Sequence, residues 1–502
     1  MPERSLASLC LLATVALGAC SPEARVSYGP LAEIDAKRGY YPAHWVDTSD
    51  DNLLIVTMSG GGKRASAFAQ GMLDALAAMP YKGGALLDEV DIVSSVSGGS
   101  VTAGNLVANG PDSFQAYKDR FLYIDQMPAL LRQELTRPPL PYSLLVDNDR
   151  IEPVVEMFER TVIRPGMTYG EIPEGRPYWF ANATDIQVLQ TFPFTQYQFD
   201  IICSDLKEFP IARAMAASAG VPVATSSVVL KNHAPCPAQQ RAHGKLDRDI
   251  DYLYRITSAD GLYTGGASYR LERFSIALEK MTACEEGQEY CPRPEFIHLF
   301  DGGVTDNLGL SEPLWFLTDA NEGWNPIPRW ASSGRLKQVS LVTANAASAA
   351  DSTIGDSVET PGIVPTLLSV INAGIDRRSI GLTAQAGVAG GLINGAPSAD
   401  AIDYHYSALS FRRIEDAACR RAFSNIETSW GLTEAEVSAT IAMGAAQSFA
   451  SLAFRHHAGV EEGSAEANRW DQASACLLKK ACACMSDPAG CTRPEIEFPS
   501  CR

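Results

Sequence analysis

The 502-residue chain is 46% hydrophobic and 20% charged, a make-up that excludes collagen, coiled coil, low-complexity polymer and a multi-span membrane protein. Its 41 Lys and Arg stand against 59 Asp and Glu, a formal charge of -18, so it lacks the basic footprint that phosphate backbones require and no nucleic-acid partner is expected. An anionic bilayer would repel such a surface as a whole, and work at a membrane would need an anchor or an apolar contact face.

The N-terminus offers such an anchor. Arg4 stands in a short charged stub ahead of an apolar stretch over residues 6–19, the pattern of a signal peptide and too short to span a bilayer. The stretch ends in Leu17-Gly18-Ala19-Cys20. That ending resembles the bacterial lipobox, which implies removal of a signal peptide over 1–19 and acylation of Cys20; the alternative is an ordinary secretory peptide with an incidental cysteine. Several acyl chains would make tethering stable where one is marginal. Ser21 is not the Asp that favours inner-membrane retention, so the resemblance implies an outer-membrane lipoprotein of the bacterial envelope, facing the periplasm or the surface.

Residues 20–52 hold Pro22, Gly29, Pro30 and Pro42 without a sustained period and read as a lipidated tether. Leu53-Leu54-Ile55-Val56 is a continuous apolar run, the mark of a strand buried on both faces of a parallel sheet. Phe68, Met72, Ala75, Leu76 and Met79 then recur at helical spacing, Ile92 to Val96 gives a second buried strand, and Val101, Leu106 and Val107 open another helix. This is a right-handed βαβ unit. Later strands are expected at 178–183, 296–300 and 339–343, and a helix at 433–454 begins with Thr433 and Glu436 as a capping box. One α/β domain is expected over 53–455, with an insertion near 231–294 where the sequence turns polar and rich in Gly and Pro.

Ten cysteines remain after Cys10 and Cys20 are set aside, an even number that suits disulfides in an exported protein. Five of them crowd into residues 476–501, so the 456–502 segment reads as a Cys-rich tail and at least one member must look outside the cluster or stay free. Cys284 and Cys291 could close a local loop. Zinc ligation by Cys476, Cys482, Cys484 and Cys491 is the weaker reading, because no paired Cys-x-x-Cys occurs and His456 and His457 lie upstream. No metal and no cofactor are expected.

Three strand ends carry chemistry. Ser59-Gly60-Gly61-Gly62-Lys63-Arg64 follows the first strand, and its glycines allow backbone N–H groups to converge on negative charge. Neither the Walker pattern nor a full dinucleotide fingerprint fits it. After the second strand, Ser95-Val96-Ser97-Gly98-Gly99-Ser100 nearly matches Gly-x-Ser-x-Gly, the turn that lifts a nucleophilic Ser above a sheet. Phe296 to Phe300 then delivers Asp301-Gly302-Gly303 to a strand's carboxyl end.

In this order the motifs resemble the patatin-like phospholipase family, related in mechanism to cytosolic phospholipase A2, and Ala217-Ser218-Ala219-Gly220-Val221-Pro222 resembles the family's Ala-Ser-x-x-x-Pro segment. The resemblance spans about residues 53–310. Ser59 departs from the usual Asp, Ala65 from Gly, and Ser95 from the elbow's first Gly. The resemblance implies a three-layer α/β/α sandwich with a mainly parallel sheet and a Ser97/Asp301 dyad without a catalytic His. Ser97 is the nucleophile, Asp301 the general base, and Gly60, Gly61, Gly62 and Gly98 supply the oxyanion hole. Arg64 is a candidate contact for a phosphate head group, and His298 reads as a packed core residue. A lipid ester is the implied substrate. The alternatives are an α/β-hydrolase triad completed by His405, His456 or His457, and a non-catalytic envelope lipoprotein that binds lipid.

Overall fold

Among the described residues, seven strands run side by side in one sheet, with an eighth paired to its middle. They are β1 (Asn52–Met58), β2 (Val90–Val96), β3 (Tyr178–Asp185), β4 (Gln190–Pro193), β5 (Val228–Lys231), β6 (Phe296–Asp301), β7 (Gln338–Asn345) and β8 (Asp403–Ser410), in the order β8-β7-β1-β2-β3-β6-β5, with β4 on β3. The computed structural model describes residues 31, 39–46, 51–135, 150–220, 225–233, 295–318, 327–347, 363–394 and 401–498. The signal peptide, Cys20, Pro222 and all but the first three residues of the expected insertion lie outside them.

β8, β7, β1, β2 and β3 are mutually parallel, whereas β4 and β6 run antiparallel to β3 and β5 runs antiparallel to β6. Leu53 to Val56, an uninterrupted apolar run, and Ile92 to Val96, which includes Ser94 and Ser95, are buried, as strands are when helices cover both sheet faces. The described helices include α1 (Gly62–Ala78), α2 (Gly98–Asn109), α3 (Ile211–Ala219), α4 (Gly303–Asp306), α5 (Ile363–Asn394), α6 (Ala417–Ser424), α7 (Glu434–Phe449), α8 (Leu452–His457) and α9 (Ala465–Ser486). α1 and α2 are the crossovers from β1 to β2 and from β2 to β3, which step the same way along the sheet and so share one face. α7 packs on α1. α5 joins β7 to β8 in the opposite direction and covers the other face, where the Tyr404 hydroxyl donates to the Ala386 carbonyl (2.7 Å).

Three expectations need correction. The folded body begins before Leu53: Tyr40 is buried, stacks on Tyr178, and its hydroxyl accepts from the Trp179 N–H (2.9 Å), so part of the supposed tether belongs to the core. The helix expected over 433–454 opens with the anticipated capping box, Glu436 N–H to Thr433 Oγ1 (3.2 Å) and Thr433 N–H to Glu436 Oε2 (2.8 Å). It stops at Phe449, where Ser451 caps a separate α8. The C-terminal segment from His456 is disulfide-rich as expected, and it folds mostly as the helix α9, whose Trp470, Leu477 and Ala481 join the common core. His298 is exposed rather than packed, its Nδ1 beside Ser227 Oγ (3.0 Å).

Cys419 pairs with Cys482 and Cys484 with Cys491; Cys203 and Cys476 are also disulfide-bonded. The Cys419 bond is the link out of the terminal cluster that its odd count allows. β5 and β6 form a hairpin whose open end is the insertion: Lys231 pairs with Phe296, and Asn232 N–H donates to the Glu295 carbonyl (2.8 Å). Among the described residues, no helix is long and apolar enough to cross a membrane.

Candidate active site

Ser97 leaves β2 at φ 51°, ψ -122°. That backbone conformation costs an L-residue about 1–3 kcal/mol and persists only where neighbours over-determine it. Here they do. A Cβ on Gly98 would lie 1.9 Å from the Gly62 carbonyl oxygen, so only glycine lets the elbow meet the loop after β1. That loop also needs glycine, with Gly61 at φ 137° and Gly62 at φ 58°.

A line of buried polar groups fixes the elbow from below. The Ser97 N–H donates to Ser218 Oγ (2.9 Å), and the Ser218 hydroxyl donates to the Asn182 carbonyl (2.6 Å). Ser218 therefore accepts from Ser100 (2.8 Å), Ser100 accepts from Ser95 (2.9 Å), and Ser95 accepts from the Trp179 indole N–H (2.7 Å). Each hydroxyl has one proton, so the two ends dictate every direction between them. The Ser that replaces the elbow's usual first Gly is thus a member of the network. Sequence reasoning assigned no role to Ser95, Ser100, Trp179 or Ser218; only the departure at 95 and the Ala-Ser segment marked the place.

Asp301 arrives by an unexpected route. β6 is antiparallel to β3 and descends from beyond the parallel strand ends, pairing Asp301 with Ala183 one step above the Val96–Asn182 pair. Its carboxyl end and that of β2 therefore meet at one level. Ser97 Oγ donates to Asp301 Oδ2 (2.7 Å), and Asp301 Oδ1 accepts from the Gly303 N–H (2.7 Å) at the start of α4. Both side chains are buried. Burial pushes the Asp301 carboxyl up to about 6, against the opposing pull of the Ser97 and Gly303 hydrogen bonds.

The glycines divide. The Gly60 N–H is spent on the Asn307 carbonyl (2.9 Å), which corrects its expected place in the oxyanion hole. Gly61, Gly62 and Gly98 lie at or just before the first turns of α1 and α2, where backbone donors have no intrahelical acceptor and the helix dipoles are positive. Asp306 caps its own turn, accepting from Leu308 and Ser311 N–H groups (3.0 and 2.7 Å).

Arg64 is a second correction. It is buried, with Nε on the Ala346 carbonyl (2.9 Å), one Nη on the Ile426 carbonyl and the other on Thr428 Oγ1 (3.1 Å). It therefore ties α1 to the loops after β7 and α6 and has no surface to offer a head group. Lys63 is equally buried, with its ammonium on the Ile124 carbonyl and over the Phe121 ring, and burial pulls it down to about 8.

The histidines of the triad alternative lie elsewhere. His405 sits near the start of β8, level with Ser340 and Leu54. Three strand spacings and about six residues of rise separate it from Ser97, on the order of 20 Å. His456 stacks on His405, and His457 Nδ1 meets Ser340 Oγ (3.2 Å).

Fold and site together define an α/β protein with a buried hydroxyl–carboxylate pair held across its strand ends. The model of the family described as Patatin-like phospholipase matches residues 56–314, slightly more than half of the chain, and the chain belongs to that family. Among solved structures it is similar to human GIVD cytosolic phospholipase A2 at 12% identity and a TM-score of 0.36, covering 87% of this chain and 64% of that one. Comparison with curated proteins gives no match.

Proposed function

We propose that the chain is a lipid acyl hydrolase in which Ser97 attacks an ester carbonyl and Asp301 takes its proton. The 2.7 Å hydrogen bond from Ser97 Oγ to a buried Asp301 carries this reading. A carboxylate of ordinary pKa near 4 is a weak base for a hydroxyl, and desolvation narrows the gap. The N–H groups of Gly61, Gly62 and Gly98 would hold the oxyanion of the tetrahedral intermediate, each worth on the order of a hundredfold in rate. Asp301 then returns the proton to the leaving alcohol, and a water activated by the same carboxylate releases the acid from the acyl-Ser97 ester. No histidine is needed at any step.

Membership of the family supports a lipid ester as substrate, and a chain held at the bilayer through acylated Cys20 would meet its lipid without charge attraction. On this reading the protein is an envelope lipoprotein with a signal peptide over 1–19. Fluorophosphonate labelling with mass-spectrometric mapping tests the nucleophile. Ser97 should be modified, and Asp301→Asn should suppress labelling at least a hundredfold while circular dichroism is unchanged. Labelling at another residue, or full labelling of Asp301→Asn, would overturn the dyad.

A further inference from the structure

At the far end of the sheet, three donor atoms converge that the hydrolase site does not use. β8 is the edge strand, and Asp403 and His405 alternate along it to the same face. α8 lies across that face and brings His456 to them. His405 Nε2 lies 2.8 Å from Asp403 Oδ1, and His456 Nε2 lies 3.1 Å from Asp403 Oδ2. The two imidazoles stack with ring centroids 3.4 Å apart, and one donor atom from each of the three residues lies within 4.8 Å of the other two.

We propose that Asp403, His405 and His456 bind a divalent late first-row metal ion of the zinc class. Two neutral imidazoles and one carboxylate suit such an ion in number and in kind. Ligands on a tetrahedral zinc stand about 3.4 Å apart; the donor atoms are already near that spacing, and the two stacked imidazoles, now 22° from coplanar, would tilt out of their stack so that both Nε2 lone pairs point at the ion. Gln338 is paired with Asp403 across β7 and β8, and its side-chain Nε2 lies 2.7 Å from His456 Nδ1. With its amide oxygen turned to that nitrogen it would accept the Nδ1 proton and leave Nε2 free to ligate, the outer support that metal-bound histidines ordinarily have. Asp403 is exposed and both histidines are half-buried, so an ion can enter and water can complete its shell.

The ion would be structural. It lies on the order of 20 Å from Ser97, and it would clip the exposed edge strand to α8, the element that leads into the disulfide-bonded α9. Ester turnover does not depend on it.

Isothermal titration of Zn2+ into the chelator-treated full chain tests the site, with Tm measured alongside. The expected result is one equivalent of Zn2+ bound with a rise in Tm. His405→Ala and His456→Ala should each weaken that binding at least tenfold and erase the rise, while Gln338→Ala weakens it less. Asp403→Asn, which keeps the side-chain volume, is the control against a folding defect and should also lose the ion. Absence of saturable uptake at tens of micromolar Zn2+, or uptake that these variants leave unchanged, would overturn the proposal.

Discussion

Asp301 is a carboxyl held where it is expensive to ionise. Its folded pKa of about 6 lies above the 3.8 of a free Asp, so between those values the native state binds more protons than the unfolded chain. Its contribution is most favourable below pH 4 and is lost as pH rises through 6. Asp301→Asn removes that penalty while retaining an acceptor for the Gly303 N–H. We predict that the variant is inactive yet more stable than the parent at pH 8, by on the order of 1–3 kcal/mol, and that the gain vanishes near pH 4. Thermal melts at the two pH values check this. The same carboxyl should set the rate profile, with activity rising through about pH 6 as the base ionises. His456→Ala should leave that inflection in place, whereas the triad alternative requires a histidine whose removal abolishes it.

At the scale of elements, the elbow depends on what supports it. Ser218 accepts two hydrogen bonds and donates a third in a site without water access, so Ser218→Ala strands the Ser97 and Ser100 donors. A stability loss of about 1–3 kcal/mol is expected, with kcat falling more than KM changes as Ser97 loses its fixed φ; denaturant melts and ester kinetics together separate the two effects. The Ser97–Asp301 pair was legible in the sequence because β2 and β6 are mostly apolar and each delivers its residue, Ser97 or Asp301, at its carboxyl end. The route of β6 was not, since nothing in Phe296 to Phe300 says from which direction the strand enters the sheet. β8 escaped notice because Asp403, His405 and Ser407 interrupt its apolar residues at the sheet edge, where burial rises along the strand instead of alternating with face. Arg64 misled for a physical reason: a cation beside a glycine loop looks like a ligand for anions until its partners are seen to be backbone carbonyls.

Across the whole molecule, the C-terminal helices are bound to the catalytic body by packing and by covalent bonds. The Cys419–Cys482 bridge joins α6 to α9 across a sequence separation of 63 residues. Closing a loop of that length restricts the unfolded chain by about 4 kcal/mol. We predict that Cys482→Ser lowers Tm markedly under oxidising conditions, and that below its melting range it still labels at Ser97, because the bridge lies outside the hydroxyl–carboxylate pair. Differential scanning fluorimetry with and without reductant should show the parent falling toward the variant.

The neck of the β5–β6 hairpin has an evolutionary meaning. The chain departs at Lys231 and re-enters at Phe296 as cross-strand partners, with the Asn232 N–H to Glu295 carbonyl bond just beyond them, so the register that delivers Asp301 is fixed by the neck and is indifferent to how much sequence lies between. Each doubling of such a loop costs only about 0.6 kcal/mol in closure entropy. Lineages can therefore lengthen, shorten or rewrite this stretch without retuning the chemistry a few residues downstream. Divergence among relatives should accumulate there while the Ser97–Asp301 pair stays put.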